Sequence, residues 1–300
     1  MTFLQLKLFV KIAETGSFTK AGLELNMTQP AVSRAISSLE HELDVTLLIR
    51  DRRTGILLTE LGKRMLVHFR DILQGYEKVE QEAAAEKGFE VGTIRIGSFP
   101  TASAYFLPKI FRVIGEKYPR LKFDLLEGSI DEIREWLAAR IVDVGWLIPP
   151  TEEFETVTML REEMVAYLRD DHPLQSREVI RIEDLSGIPL IICKGGYEIP
   201  IYEQFQRRGA LPNTKYAVHN VSTALNMVQE GLGFAIISGS SVSLSVLPPN
   251  VRPRMLEPKP YREIHLAVPS MEESSIAVKL FVQTARELFL KTTETSGAAD

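Results

Sequence analysis

A single cysteine, Cys193, stands in 300 residues, so no disulfide can close within the chain, and this usage fits a reducing compartment. Long apolar runs are missing as well. Ile188 to Cys193 and Phe234 to Ile237 fall far short of the ~20 residues that a membrane helix needs. Met1-Thr2-Phe3-Leu4 has no basic segment ahead of an apolar core, so no secretory signal is expected and the cytoplasm is the expected location. The spacings that carry catalysis are absent too. No Cys or His cluster has metal-ligand spacing, no Gly-x-Ser-x-Gly elbow occurs, and no Gly-rich lysine loop would cradle a nucleotide. Gly231-x-Gly233 ends a helix and precedes a strand, the reverse of a dinucleotide fingerprint. His41, His68, His172, His219 and His265 are scattered, with His172 reading as a turn residue. No catalytic residue, metal or cofactor is expected. Cys193 ends an apolar stretch without a resolving thiol, which favours packing over redox sensing.

What is present is the composition of a globular protein with room for two or three packed units, 45% hydrophobic and 25% charged. The net charge of -5 is unevenly spread. Between Met1 and Arg70, ten basic residues (Lys7, Lys11, Lys20, Arg34, Arg50, Arg52, Arg53, Lys63, Arg64, Arg70) meet seven acidic ones (Glu14, Glu24, Glu40, Glu42, Asp44, Asp51, Glu60), a local balance of +3. A cationic N-terminal part on an acidic chain suits contact with phosphates.

That part carries a short helix over Thr28 to Leu43 in which Val32, Ile36, Leu39 and Leu43 form one narrow apolar stripe. Its opposite face holds Gln29, Ser33, Arg34 and Ser37, donors and acceptors suited to base edges and phosphates. Thr28 is placed to cap the helix, and Pro30 costs little in the first turn. Upstream, Leu6, Phe9, Val10 and Ala13 give one apolar helix face, Gly16 stops that helix, and Ser17 caps a second containing Phe18, Ala21 and Leu25. Asn26-Met27-Thr28 is then a tight turn, and the whole reads as a helix-turn-helix. Leu47 to Arg50 and Ile56 to Thr59 form a strand pair whose tip, with Arg50, Arg52 and Arg53, is a wing for DNA backbone or minor groove.

From Thr59 a long helix places Met65, Phe69, Ile72, Tyr76, Val79 and Ala83 at alternating spacings of 4 and 3, the seam of a coiled coil. Glu86-Lys87-Gly88 ends it. Beyond Val91 the period changes to strands alternating with helices, which argues mostly parallel α/β sheet in two subdomains. Strands are expected near Thr93 to Gly97, Lys122 to Glu127, Val142 to Leu147, Met164 to Leu168, Leu190 to Cys193, Tyr216 to His219, Phe234 to Ile237 and Ile264 to Val268. Helices are expected over Lys109 to Lys117, Asp131 to Arg140, Ile199 to Arg208, Ser222 to Glu230 and Ala277 to Leu290.

Ligands of open α/β sheets lie beyond the carboxyl ends of strands, at helix N-termini. Two loops qualify: Ser98-Phe99-Pro100-Thr101-Ala102-Ser103 and Asn220-Val221-Ser222-Thr223. Gly128-Ser129, Trp146 and Lys194-Gly195-Gly196-Tyr197 are candidates for the rest of a cleft wall, although Trp146 suits a core equally. A small polar or anionic effector is the expected occupant.

The chain resembles the LysR-type transcriptional regulators. The likeness runs through Phe9, Ala13, Gly16-Ser17-Phe18-Thr19, Ala21, Leu25, Thr28 to Ser33, Ile36, Leu39-Glu40, Leu43 and Leu58-Thr59-Glu60-Leu61-Gly62, and returns in Val228 to Ile237. Gly22 stands where alanine is common, and Ser238 where proline is usual. The resemblance implies a winged helix-turn-helix over 1–58, a dimerisation linker helix over 59–88 with Met65, Phe69, Ile72, Tyr76 and Val79 at its seam, and an effector-binding domain over 91–300. That last domain would resemble periplasmic solute-binding proteins, with subdomain I over 91–161 and 268–300, subdomain II over 162–267, and hinge crossings near Leu160-Arg161 and Ala267-Val268. Implied partners are double-stranded DNA at a promoter, a small-molecule effector, a second copy of the chain, a tetramer built as a dimer of dimers, and RNA polymerase. Two other readings remain at this stage: an enzyme or solute binder with an accessory helical module, and a protein-interaction domain that uses the helices without DNA.

Overall fold

The computed structural model describes residues 1–51, 55–88 and 90–290. Arg52 and Arg53 of the expected wing tip and the C-terminal tail lie outside the described residues, as does the side chain of Arg50. The chain divides into two compact units, one of Met1–Gly92 with Ala138–Ile141, the other of Thr93–Leu137 with Val142 onward.

In the first unit α1 (Phe3–Thr15) opens on a reciprocal capping box between Thr2 and Gln5 and ends at Gly16. Ser17 then caps α2 (Phe18–Glu24) by accepting from the Lys20 amide. Gly22 sits where a Cβ would stand 2.6 Å from the Met27 carbonyl oxygen, so its missing side chain lets the turn into α3 (Gln29–Leu43) close. Leu6, Phe9, Ile12, Phe18, Ala21, Val32, Ile36 and Leu39 are buried in one core. The stripe read from the sequence is therefore the packed face of α3. Thr28 occupies the N-cap position but its side chain makes no capping hydrogen bond, contrary to expectation.

β1 (Leu48–Asp51) and β2 (Gly55–Leu58) pair antiparallel, with Leu48 opposite Leu58. The Glu40 carboxylate fastens this wing to α3 by accepting from the amides of Leu47 at 2.7 Å and Leu48 at 3.1 Å. Next comes α4 (Glu60–Ala85), capped by the Thr59 hydroxyl, which accepts from the Gly62 amide at 2.9 Å and donates to the Thr46 carbonyl at 2.9 Å.

The seam of α4 is split. Phe69, expected at a dimer interface, is buried edge-on against Phe9 with ring centroids 5.3 Å apart, and Met65 packs on the same core. This corrects both as seam residues: the spacing of 4 and 3 that suits a partner helix suits α1 equally well, and the two helices pack together. Ile72, Tyr76 and Val79 remain 46%, 47% and 65% exposed, with the Tyr76 ring in contact with Phe3.

The second unit runs β3 (Gly92–Ser98), α5 (Pro100–Lys117), β4 (Leu121–Glu127), α6 (Ile130–Ala138), β5 (Val144–Leu147), β6 (Glu155–Arg169), β7 (Val179–Arg181), β8 (Pro189–Cys193), α7 (Glu198–Arg207), β9 (Asn213–Val218), α8 (Val221–Gln229), β10 (Ala235–Ser238), α9 (Gly239–Ser243), β11 (Val251–Glu257), β12 (Tyr261–Val268) and α10 (Ile276–Phe289). The sheet is mixed, not mostly parallel. Its order is β4-β3-β5-β12-β6-β11-β7, with β10 also on β6, while β8 and β9 pair parallel apart from it. β3 and β5 are parallel, whereas β6 is antiparallel to β10, β11 and β12.

β6 is the spine of this unit. Its first part, Glu155 to Glu163, pairs with β12, and its second, Met164 to Arg169, pairs with β10 and β11. The first crossing thus falls near Glu163-Met164. The second lies at the register shift between Ile264 and His265, since His265 to Ala267 already pair with β5. Both are displaced by about one turn of chain from the expected positions because only cross-strand partners, not local patterning, set where a strand changes sheets.

α5 begins nine residues before the helix expected from the sequence and runs through Pro108. A mid-helix proline normally ends a helix, and here burial of Ala102, Phe106, Leu107, Ile110 and Ile114 on one face offsets that cost.

Two glycines of α4 test this packing. A Cβ on Gly62 would stand 2.2 Å from the Leu47 carbonyl oxygen, whereas one on Gly75 would meet open space. Helix propensity alone favours alanine at both by about 1 kcal/mol. Gly75→Ala should raise unfolding stability by roughly that amount, and Gly62→Ala should lower it by about 1–3 kcal/mol, both read by denaturant titration.

Candidate functional site

Two surfaces collect the chemistry. On α3, Gln29, Pro30, Arg34 and Ser37 are exposed and Ser33 is half-buried, while Val32, Ile36 and Leu39 form the buried stripe. Helical period turns Pro30, Arg34 and Ser37 away from that stripe, whereas Gln29, three residues before Val32, is exposed because it opens the helix. Arg34 Nε donates back to the Pro30 carbonyl at 3.4 Å, and Thr28, with its side chain unused in capping, is exposed beside Gln29. Over its N-cap and first two turns α3 therefore exposes a hydroxyl, an amide side chain and a guanidinium.

The second surface is a cleft of about 770 Å³ within the α/β unit. That volume suits a small organic ligand. From the residues anticipated as effector contacts it draws Phe99, Pro100, Thr101 and Ser129. Phe99 precedes α5 without a side-chain cap, so the first-turn amides behind Pro100 remain outside any capping bond. Ser129 holds the N-terminus of α6 together with Glu132, whose carboxylate accepts from the Ser129 amide at 2.8 Å and hydroxyl at 2.7 Å.

The other anticipated contacts lie elsewhere. Trp146 is fully buried and stacked on Phe106 with centroids 4.1 Å apart, a core residue and not a cleft wall. Ser98 and Ser103 are buried and off the cleft lining. Asn220, Val221, Ser222 and Thr223 do not line the cleft, and the amides of Ser222 and Thr223 are already given to the Asn220 side chain, at 2.8 and 3.3 Å. Capping, the plainer reading of such a loop, accounts for it. The far wall is built instead by Lys194, Gly195, Gly196, Glu198, Ile199 and His219.

Tyr197 is also inside the protein, and it belongs to a buried polar network that sequence reasoning missed. Arg262 on β12 is opposite Glu162 on β6, and its Nε donates to the Glu162 carboxylate at 2.8 Å. Arg262 Nη1 donates to the Gly195 carbonyl at 2.8 Å, Nη2 to Ser241 Oγ at 3.3 Å, and the guanidinium lies 3.9 Å from the Tyr197 ring centre. The Tyr197 hydroxyl in turn reaches Ser241 at 2.5 Å and Ser238 at 3.2 Å, while Ser240 donates to Glu162. Burial pushes the Tyr197 phenol up, so it stays a neutral donor. Ser238, where the resembled family usually has proline, thus supplies a hydroxyl to a network that fixes the cleft loop Lys194 to Tyr197 on the two crossing strands. Its only sequence signal was that departure.

Cys193 is buried at the end of β8, and burial pushes its thiol up to about 12. It is a buried packing residue whose thiol is held in the protonated form. Among the described residues no group of three or more His, Cys, Asp or Glu side chains is placed to hold a metal ion. No described helix is long and apolar enough to cross a membrane.

Comparison with known proteins agrees with this architecture. Residues 3–63 match the bacterial regulatory helix-turn-helix protein model of the lysR family, and residues 87–290 match the LysR substrate binding domain. An uncharacterized HTH-type transcriptional regulator of Bacillus subtilis (strain 168), YvbU, is 55% identical over 289 residues, covering 96% of this chain and 99% of that protein. Among solved structures, a cysteine-to-aspartate variant of full-length OxyR from Pseudomonas aeruginosa superimposes with a TM-score of 0.76 at 21% identity, covering 95% of this chain and 98% of that one. Full-length CbnR complexed with its target DNA gives 0.65 at 24%, covering 96% and 99%. One family model spans α3 and the other spans the residues around the cleft, and the chain belongs to the LysR family of helix-turn-helix transcriptional regulators.

Proposed function

We propose that this regulator reads its operator through α3, with Thr28, Gln29, Pro30, Ser33, Arg34 and Ser37 against the major groove and Arg50, Arg52 and Arg53 of the wing on the flanking backbone. The observation that carries this is the exposed grouping of Thr28, Gln29 and Arg34 on a helix whose other face is anchored in the core. Gln and Arg are the side chains that make bidentate contacts with adenine and guanine edges.

A single reading head contacts too few base pairs to select one site in a genome, so the working form is a dimer. The exposed portion of α4, Ile72, Tyr76 and Val79, supports pairing with a second copy, leaving Phe69 and Met65 to the protomer's own core. A tetramer formed as a dimer of dimers, contact with RNA polymerase at the promoter and action in the cytoplasm complete the reading. The occupant of the cleft is a small polar or anionic effector, and it acts by favouring one arrangement of the two halves joined by β6 and β12.

Two outcomes follow. Gln29→Ala should relax base preference in competition against mutated operators, and Arg34→Ala should weaken operator binding by about 1–3 kcal/mol in a mobility-shift titration. Unchanged binding in both variants contradicts the α3 assignment. Ile72→Glu combined with Val79→Glu should give a folded monomer by sedimentation and lose operator binding with it, whereas Phe69→Glu should unfold the first unit by placing a charge in its core. A folded dimer carrying both α4 charges contradicts the interface.

A further inference from the structure

We propose that the effector is a zwitterion of the amino-acid type, its ammonium group held by Glu127 and Asp131 and its carboxylate by Lys194, His219 and Thr101. This rests on the effector-cleft reading above and names the ligand class for it.

Several polar groups along the cleft lining are already satisfied within the protein. Arg134 is paired with Glu153 and donates to the Pro150 carbonyl at 2.7 Å. Glu198 accepts from the amides of Gly195 at 3.3 Å and Gly196 at 3.0 Å, so the backbone donors of that loop carry the chain's own carboxylate. Ser129 is likewise given to Glu132. An external anion finds neither loop open.

The remaining lining groups segregate, carboxylates on one wall and nitrogen donors on the other. Glu127 ends β4 and Asp131 begins α6, both exposed on one wall. Lys194 follows β8 and His219 follows β9, both exposed on the other. Thr101 lies in the uncapped first turn of α5. Between them the surface is apolar, with Phe99, Ile148, Pro149 and Ile199.

An open cleft keeps these charges in water, but a ligand that draws the walls together removes that water, and each charge must then meet an opposite one or pay heavily in desolvation. A simple carboxylate would leave Glu127 and Asp131 desolvated without a cation. A simple amine would strand Lys194. A molecule with both groups on a short apolar body satisfies both walls.

The test uses the full-length protein, with calorimetry and thermal shift against the twenty standard L-amino acids at millimolar concentration. Each binder is then compared with its analogues lacking either the amine or the carboxylate, as 4-methylpentanoate and isoamylamine are for L-leucine. At least one amino acid should bind, and both truncated analogues should bind at least about tenfold more weakly. The Glu127→Gln, Asp131→Asn double variant should erase the preference for the amino acid over its deaminated analogue, and Lys194→Met should erase the preference over the decarboxylated one. Operator binding by these variants, measured in parallel without ligand, should equal that of the parent, which reports folding and separates this inference from the DNA assignment. Absence of binding by every amino acid, a deaminated analogue that binds as tightly as its parent, or variants that leave the preference unchanged would overturn the zwitterion assignment while leaving the regulator reading intact.

Discussion

The antiparallel pairing of β6 with β12 is the constraint on which the α/β unit depends. Eight residues of β12 find partners on β6, from Tyr261 opposite Glu163 to Val268 opposite Glu155. The same β6 then continues past Met164 to pair with β10 and β11, so one strand belongs to both halves of the fold. At the crossing sit Glu162 and Arg262, buried together. Removing one member of such a pair leaves an uncompensated charge and costs about 3–5 kcal/mol, although the intact pair need add little net stability. Its clearest consequence is geometric: by donating to Gly195 and covering Tyr197, Arg262 fixes one wall of the cleft to the strands that join the two halves.

The DNA-reading unit is held by shorter-range contacts of the same logic. Glu40 belongs to α3 yet satisfies two amides at the base of the wing, and Thr59 caps α4 while bonding the chain that enters the wing. Gly62 permits that approach because any larger residue would meet the Leu47 carbonyl. Helix, wing and linker are thus set against one another by contacts within the chain, and the outer face of α3 takes no part in them.

Much of this was legible in the sequence, for identifiable reasons. The stripe of Val32, Ile36 and Leu39 obeys helical period, and caps such as Ser17 and Thr59 act on their immediate neighbours, so local spacing is enough to place them. The partner of an apolar seam is another matter. Phe69 and Ile72 lie in one run, but α1 covers the first and leaves the second exposed, a distinction created by tertiary packing. Trp146 and Tyr197 were candidates for the cleft on residue type, and both proved to be inside because neighbouring strands and helices cover them. The Asn220 loop satisfied the strand-to-helix rule for ligand sites, yet its own side chain consumes the amides the rule relies on. Glu162 and Arg262 were invisible to any local pattern, being 100 positions apart and joined only by strand register.

Membership of the LysR family makes sequence-dependent DNA binding the central property of this protein. Its most direct test is a salt titration of binding to an operator duplex beside an unrelated duplex of equal length. Lys and Arg contacts displace counterions, so the logarithm of the operator affinity should fall linearly and steeply with the logarithm of salt concentration, by ~0.9 per phosphate contact. Preference for the operator should persist as both affinities fall, because base contacts carry it. Binding insensitive to salt, or equal on the two duplexes throughout the titration, would contradict the account.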